Sequence, residues 1–247
     1  MTSVNSATGR SGLPANVAVI LPGTGSDEVF VRAVFEEPLS SFGVRLIAPA
    51  PRPGSGLADA YLAALDAAAA ESDQPILAGG VSFGAHLSSA WALRNQVRCA
   101  GLMAALPAWN GVPDVAPASI AARVSADLVR SQGLERALAV ATADVAPWLA
   151  DELRRAWRRQ GTSLADGLDA ASRYPAPELT ALRTLDVPTG ISACTDDLVH
   201  PAEVAYAWAD AIPRARVQDT TLAALGADRA CLGRATVLAL LTALSRA

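Results

Sequence analysis

Apolar residues along this chain gather into short continuous runs, separated by longer stretches in which they recur every three or four positions. The runs VAVIL (17–21), VRLIA (44–48), PILAGG (75–80), CAGLMAAL (99–106), VPTGISAC (187–194) and RARVQDT (214–220) predict strands. Most do not alternate in polarity, which is the pattern of strands covered by helices on both faces. Helices are predicted over 27–41, 57–71, 84–95, 201–211 and 228–245, the last keeping an apolar stripe despite its glycine. Strand and helix take turns, so the pattern predicts an α/β fold with a doubly wound, mostly parallel sheet and right-handed crossovers.

The alternation breaks between residues 107 and 180. Ile120, Val124 and Leu128 line one side of one helical pattern, and Val145, Leu149, Leu153 and Trp157 one side of another. Amphipathic helices need an apolar surface to cover, so this stretch is expected to be a helical lid inserted into the core. The expected organisation is a flexible N-terminus (1–16), a core made of 17–106 and 181–247, and the insertion 107–180.

Composition narrows the chemistry. The chain has 247 residues, 51% of them hydrophobic, enough for a sizeable core. Its net charge of −4 argues against a nucleic-acid partner. It has no lysine, and all twenty basic residues are arginines, which excludes Schiff-base chemistry and a lysine-bearing phosphate loop. Cys99, Cys194 and Cys231 are widely spaced and form no ligand pattern, so neither a disulfide framework nor a metal site is expected, and the three read as small core residues. No secretion signal or membrane-length apolar run stands out, so a cytoplasmic protein without a membrane partner is expected.

One motif carries chemistry. GVSFG (80–84) is a G-x-S-x-G element between a predicted strand and a predicted helix, the context in which a serine hydroxyl is held exposed on a strained turn. Gly80 and Gly84 lack a Cβ where chain segments would approach, and Ala85, Ser88 and Ser89 are small enough for the helix to lie close to the sheet. Together with LPGTGSD after the first strand, the helical insertion, and CTDDLVHPAEVA after VPTGIS, this element resembles the α/β-hydrolase family, of the serine esterase or thioesterase kind, from residue 17 to the C-terminus. The resemblance implies Ser82 as nucleophile and an oxyanion hole from the backbone N–H groups of Gly23 or Thr24 and of Phe83. It also implies Asp197 as the acid, in D-x-x-x-P, with Asp196 the near alternative. PGTG has a competing reading as a phosphate loop. That reading wants glycine at Glu28, an acidic residue where IAPAP stands, and a lysine the chain lacks.

The family's histidine is missing from its usual place. After the last strand the chain reads TLAALGADRACLG, with Ala227 following Gly226 where an imidazole is expected. The two histidines are His86, expected to pack at the helix–sheet seam, and His200, three residues beyond Asp197. His200 is the candidate base from an unusual position, though D-x-x-H-P also reads as a turn leading into a helix. Asp228 is a weaker candidate for contact with Ser82.

The functional expectation is a hydrolase of a small ester or thioester, without cofactor or metal, impaired if nothing replaces the absent imidazole. The alternative is an inactive protein of the same fold, binding a small apolar ligand or a protein partner. Trp109 and Trp148, with Trp157, suggest an apolar acyl pocket, although tryptophans on amphipathic helices are commonly packing residues. Arg154, Arg155, Arg158 and Arg159 read as a solvated helix face or, more sharply, as a docking patch for an anionic acyl carrier.

Overall fold

A computed structural model describes residues 12–52 and 54–245. Residues 1–11 of the expected flexible N-terminus lie outside the described residues. The six apolar runs form strands β1 (Val17–Leu21), β2 (Arg45–Ile47), β3 (Ile76–Val81), β4 (Cys99–Ala105), β5 (Thr189–Cys194) and β6 (Ala215–Thr220). They build one sheet in the order β2-β1-β3-β4-β5-β6 with every neighbouring pair parallel.

The core helices are α1 (Glu28–Ser40), α2 (Leu57–Glu71), α3 (Phe83–Arg94), α9 (Ala202–Ala211), the short α10 (Leu222–Ala227) and α11 (Ala230–Leu244). Between β4 and β5 lie α4 (Pro117–Gln132), α5 (Leu134–Ala141), α6 (Pro147–Gln160), α7 (Leu164–Ser172) and α8 (Leu179–Leu182).

Continuous apolarity in the strands reflects a core on each face. Phe30, Val34 and Phe35 of α1 and Leu232, Val237 and Leu240 of α11 pack on one side. Tyr61 and Leu65 of α2, Trp91 of α3 and Trp208 of α9 pack on the other. The glycine in the last helix is explained by the first: a Cβ on Gly233 would stand 2.9 Å from the Val34 carbonyl carbon, so α11 crosses α1 backbone to backbone.

The helices between β4 and β5 share their own buried cluster, including Ala126, Leu138, Trp157 and Leu168. The expected stripe on α4 is not the buried one. Ile120 and Val124 are about half exposed, while Ser119, Ala126 and Val129 face inward. Small residues permit close packing of α4 on α7, where the Ser119 hydroxyl donates to the Ser172 carbonyl at 2.8 Å. On α6, Trp157 is buried but Leu149 and Leu153 are only partly covered. No helix among the described residues is long and apolar enough to cross a membrane.

The chain runs outward from β1 to β2, then returns to place β3 on the other side of β1. Ligands in open parallel sheets bind at such a reversal, outside the carboxyl ends of the strands. Both the loop after β1 and the turn after β3 open there.

Candidate active site

Ser82 sits between β3 and α3 with φ 54° and ψ −114°. A non-glycine residue held there costs about 1–3 kcal/mol and persists only where its surroundings dictate it. Here the Ser82 N–H donates to Ala105 O at 2.9 Å, continuing the β3–β4 ladder, while Ser82 O accepts from Ala85 N to begin the helix. The chain must turn from ladder to helix at one residue. A Cβ on Gly80 would lie 2.7 Å from Gly84 Cα, and one on Gly84 would lie 2.8 Å from Pro22 O, so the bend leaves no room for side chains at either position. Ala85, Ser88 and Ser89 are fully buried, and both serine hydroxyls donate to carbonyls of their own helix.

Asp197 and His200 reach the same place from the loop after β5. One oxygen of Asp197 organises the loop, accepting from Val199 N at 2.8 Å and His200 N at 3.2 Å. The other lies 2.8 Å from His200 Nδ1. The far ring nitrogen, Nε2, is 2.9 Å from Ser82 Oγ. With Nδ1–H donating to Asp197, Nε2 is left to accept the serine's proton. Burial alone would raise the Asp197 carboxyl, but hydrogen bonds and charge from His200, with the Val199 amide, outweigh it and hold the carboxyl below its ordinary value.

The other candidates are engaged elsewhere. Asp196 turns away, accepting from Leu222 N at 2.7 Å and from the Cys194 thiol. Asp228 accepts from Ala230 N at 2.9 Å and pairs with Arg234, which stabilises the start of α11. Ala227 ends α10, and its neighbour Gly226 packs on the indole of Trp148. Trp148 also lies beneath Arg229, 4.2 Å from ring to guanidinium, and does not line the Ser82 cavity, so its expected substrate contact is corrected to a packing role.

His86 is fully buried on α3. Its Nε2 accepts from Ala108 N at 2.9 Å and Trp109 N at 3.4 Å, while Nδ1 has no partner among the described residues. Burial, with a smaller contribution from His200, pushes its pKa down to about 3. Folding therefore favours the neutral ring. Its contribution to stability is complete above the unfolded value of 6.5 and is lost as pH falls toward about 3. Urea titrations should show stability falling below pH 6.5 at roughly 1.4 kcal/mol per pH unit, and a folded His86→Gln variant should show a shallower fall.

The loop after β1 brings Gly23 and Thr24 beside the bend. A Cβ on Gly23 would be 3.5 Å from Ser82 Cβ. Among the described residues, the N–H groups of Gly23, Thr24 and Phe83 donate to no protein acceptor. The N-terminus of α1 is not free for a phosphate, because the Asp27 carboxylate already accepts from Val29 N and Phe30 N at 3.1 Å. That carboxylate is buried and also accepts from Arg155 of α6, at 2.7 and 3.1 Å. Burial alone would raise it, but Arg155 and the amides keep it below its ordinary range. Arg159 pairs with Glu28, and Gln160 donates to Ser26 O at 3.3 Å. Thus α6 is fastened to the loop that holds Gly23 and Thr24.

The remaining arginines of the cluster are paired as well, Arg154 with Asp151 and Arg158 with Glu135. Arg155 also pairs with Glu152, so an anionic carrier at this helix would compete with five existing carboxylate partners. Cys99 and Cys194 are buried, Cys231 is half-buried, and all three are free thiols. Among the described residues no group of three or more His, Cys, Asp or Glu side chains is arranged to hold a metal ion.

A cavity of about 200 Å³ opens on Ser82 and His200. Its walls come from the β1 loop (Thr24, Gly25), from Trp109, and from α4, α6 and α7, including Ala122, Leu153, Trp157 and Leu168. Trp109 and Trp157 are both among its lining residues. Apart from the His200 imidazole, no ionisable side chain is among the lining residues.

No protein-family model matches the chain, and no curated protein matches it. Solved structures do. The enol-lactonase from Burkholderia xenovorans LB400 superposes with a TM-score of 0.70 at 20% identity, covering 92% of each chain. MenH from S. aureus gives 0.66 at 16% identity, covering 92% of this chain and 93% of that one. A thermophilic esterase from Thermogutta terrifontis gives 0.61 at 22% identity, covering 85% and 82%. At these identities the likeness is one of fold.

Proposed function

Given its α/β-hydrolase fold, we propose that this chain is a serine hydrolase of small, uncharged esters or thioesters, with Ser82 as nucleophile, His200 as base and Asp197 as the acid that orients it. The observation that carries this reading is the continuous hydrogen-bonded chain from Ser82 Oγ through His200 to Asp197, at 2.9 and 2.8 Å. The base departs from the family pattern by sharing the acid's loop. The chemistry needs only its geometry: a nucleophile within reach of a base, and the base held by a third group.

Ser82 Oγ attacks the carbonyl carbon while its proton passes to His200 Nε2. The oxyanion that forms is met by the N–H groups of Phe83 and of Gly23 or Thr24, each such donor contributing about 2.7–4 kcal/mol. Collapse expels the alcohol or thiol, which takes the proton from His200, and leaves an acyl group on Ser82. Water, deprotonated by the same imidazole, releases the acid and restores the serine. The helices between β4 and β5 act as a lid, excluding bulk water from this sequence. The lining favours neutral, compact substrates, since desolvating a charge there without a partner would be costly. The esterase and enol-lactonase names among the fold relatives agree with cleavage of an ester bond. An acyl-carrier partner has no support from the paired arginines.

A fluorophosphonate probe tests the reading. Stoichiometric labelling that maps to Ser82, and disappears in Ser82→Ala, is the expected result. An unlabelled protein under conditions that label a control esterase would instead favour a binding protein of the same fold.

A further inference from the structure

One polar group in the cavity wall has no work in the mechanism above. Trp157 is 4% exposed, and its indole Nε1–H, fully buried, has no acceptor among the described residues. A buried donor without a partner typically costs about 1–3 kcal/mol. Apolar packing alone would be served as well by phenylalanine. The ring is also held in place, because its helix is fastened to the β1 loop through Arg155–Asp27, Arg159–Glu28 and Gln160–Ser26.

The nitrogen edge of the ring lies against that loop. A Cβ on Gly25 would come 3.0 Å from Nε1, and Gly25, Thr24, Ser82 and Trp157 all line the same cavity. The donor therefore sits in the wall of the cavity that opens on Ser82, against Gly25, where an added side chain would crowd it. We propose that Trp157 is a specificity-determining residue whose indole N–H donates to an oxygen on the acyl portion of the substrate, next to the scissile carbonyl, so that α-oxygenated acyl esters are preferred over their all-carbon counterparts. The inference rests on the hydrolase reading. It selects among neutral oxygen acceptors, since no cationic side chain lines the cavity to balance an anion.

The test compares p-nitrophenyl methoxyacetate with p-nitrophenyl butyrate, which differ by one oxygen in place of a methylene. Each rate is divided by the ester's own hydroxide-catalysed rate, and only turnover lost in Ser82→Ala is counted. The wild type should prefer the methoxyacetyl ester, and Trp157→Phe should reduce that preference about 3- to 10-fold, read as the ratio of the two rates in each protein. Gly25→Ala, which crowds Nε1 without altering the ring, should reduce it in the same direction. An equal loss on both esters would assign the N–H to the oxyanion or to packing, and an unchanged preference would remove it from recognition; either overturns the inference and leaves the hydrolase reading standing. Calorimetric binding of methoxyacetamide and butyramide to wild type and Trp157→Phe makes the same comparison without turnover. A Trp157-dependent preference there, with no Ser82-dependent hydrolysis, would overturn the hydrolase reading alone; no preference there overturns the donor.

Discussion

Replacing His200 with alanine should lower Ser82-dependent turnover of p-nitrophenyl butyrate by about 10⁴- to 10⁶-fold, as much as Ser82→Ala, and the double variant should lose no more than either single one. Groups that act as one unit are non-additive in this way. The structural basis is that Nε2 of His200 lies 2.9 Å from Ser82 Oγ and that no second ring can substitute. The only other imidazole, His86, is committed to the Ala108 and Trp109 amides. Introducing Ala227→His into the His200→Ala background should restore nothing. Position 227 ends α10, which is packed through Gly226 on Trp148 and contributes nothing to the cavity wall. Initial-rate kinetics on the four variants check this. Near-normal turnover in His200→Ala, or rescue by the new histidine, would show that the base is elsewhere.

Gly84→Ala should be a severely damaging single-methyl change at the bend. Its Cβ would stand 2.8 Å from both the Leu21 carbonyl carbon and Pro22 O, and would press on the Leu21 carbonyl oxygen itself. These are backbone atoms at the exit of β1, so no rotamer change relieves the contact. A destabilisation of about 3 kcal/mol or more is expected, at the upper end for overpacking. Because the displaced segment leads directly into Gly23 and Thr24, the folded fraction should also lose turnover beyond what stability explains. Urea unfolding against Gly56→Ala, a position with open space around it, checks the first claim. Active-site titration of the folded fraction checks the second.

The six strands and the five longer core helices were legible because burial on both faces leaves continuous apolar runs, and each of these appears within about two residues of its expected place, whereas the short α10 had no predicted counterpart. The insertion was legible as helices but not as faces. On α4 the larger residues, Ile120 and Val124, stay outside, while Ser119 and Ala126 face α7. Hydrophobicity marks residues able to be buried; close helix packing selects small ones. Trp148 misled for a related reason, since an indole serves equally well against Gly226 and Arg229 as against a ligand.

By itself, the amino-acid order determined the parallel α/β architecture and the strained serine turn, because both rest on local rules: apolar periodicity, and glycines where backbones meet. Which groups surround that serine was decided only by tertiary structure. Ser82 and His200 are 118 positions apart, and nothing local distinguishes a histidine leading into a helix from one turned back by Asp197 toward the bend. The pairing of Asp27 with Arg155 and the approach of Trp157 to Gly25 likewise depend on where α6 comes to rest. Distances between remote segments are set by packing, and a linear pattern carries the parts of a site without their separation.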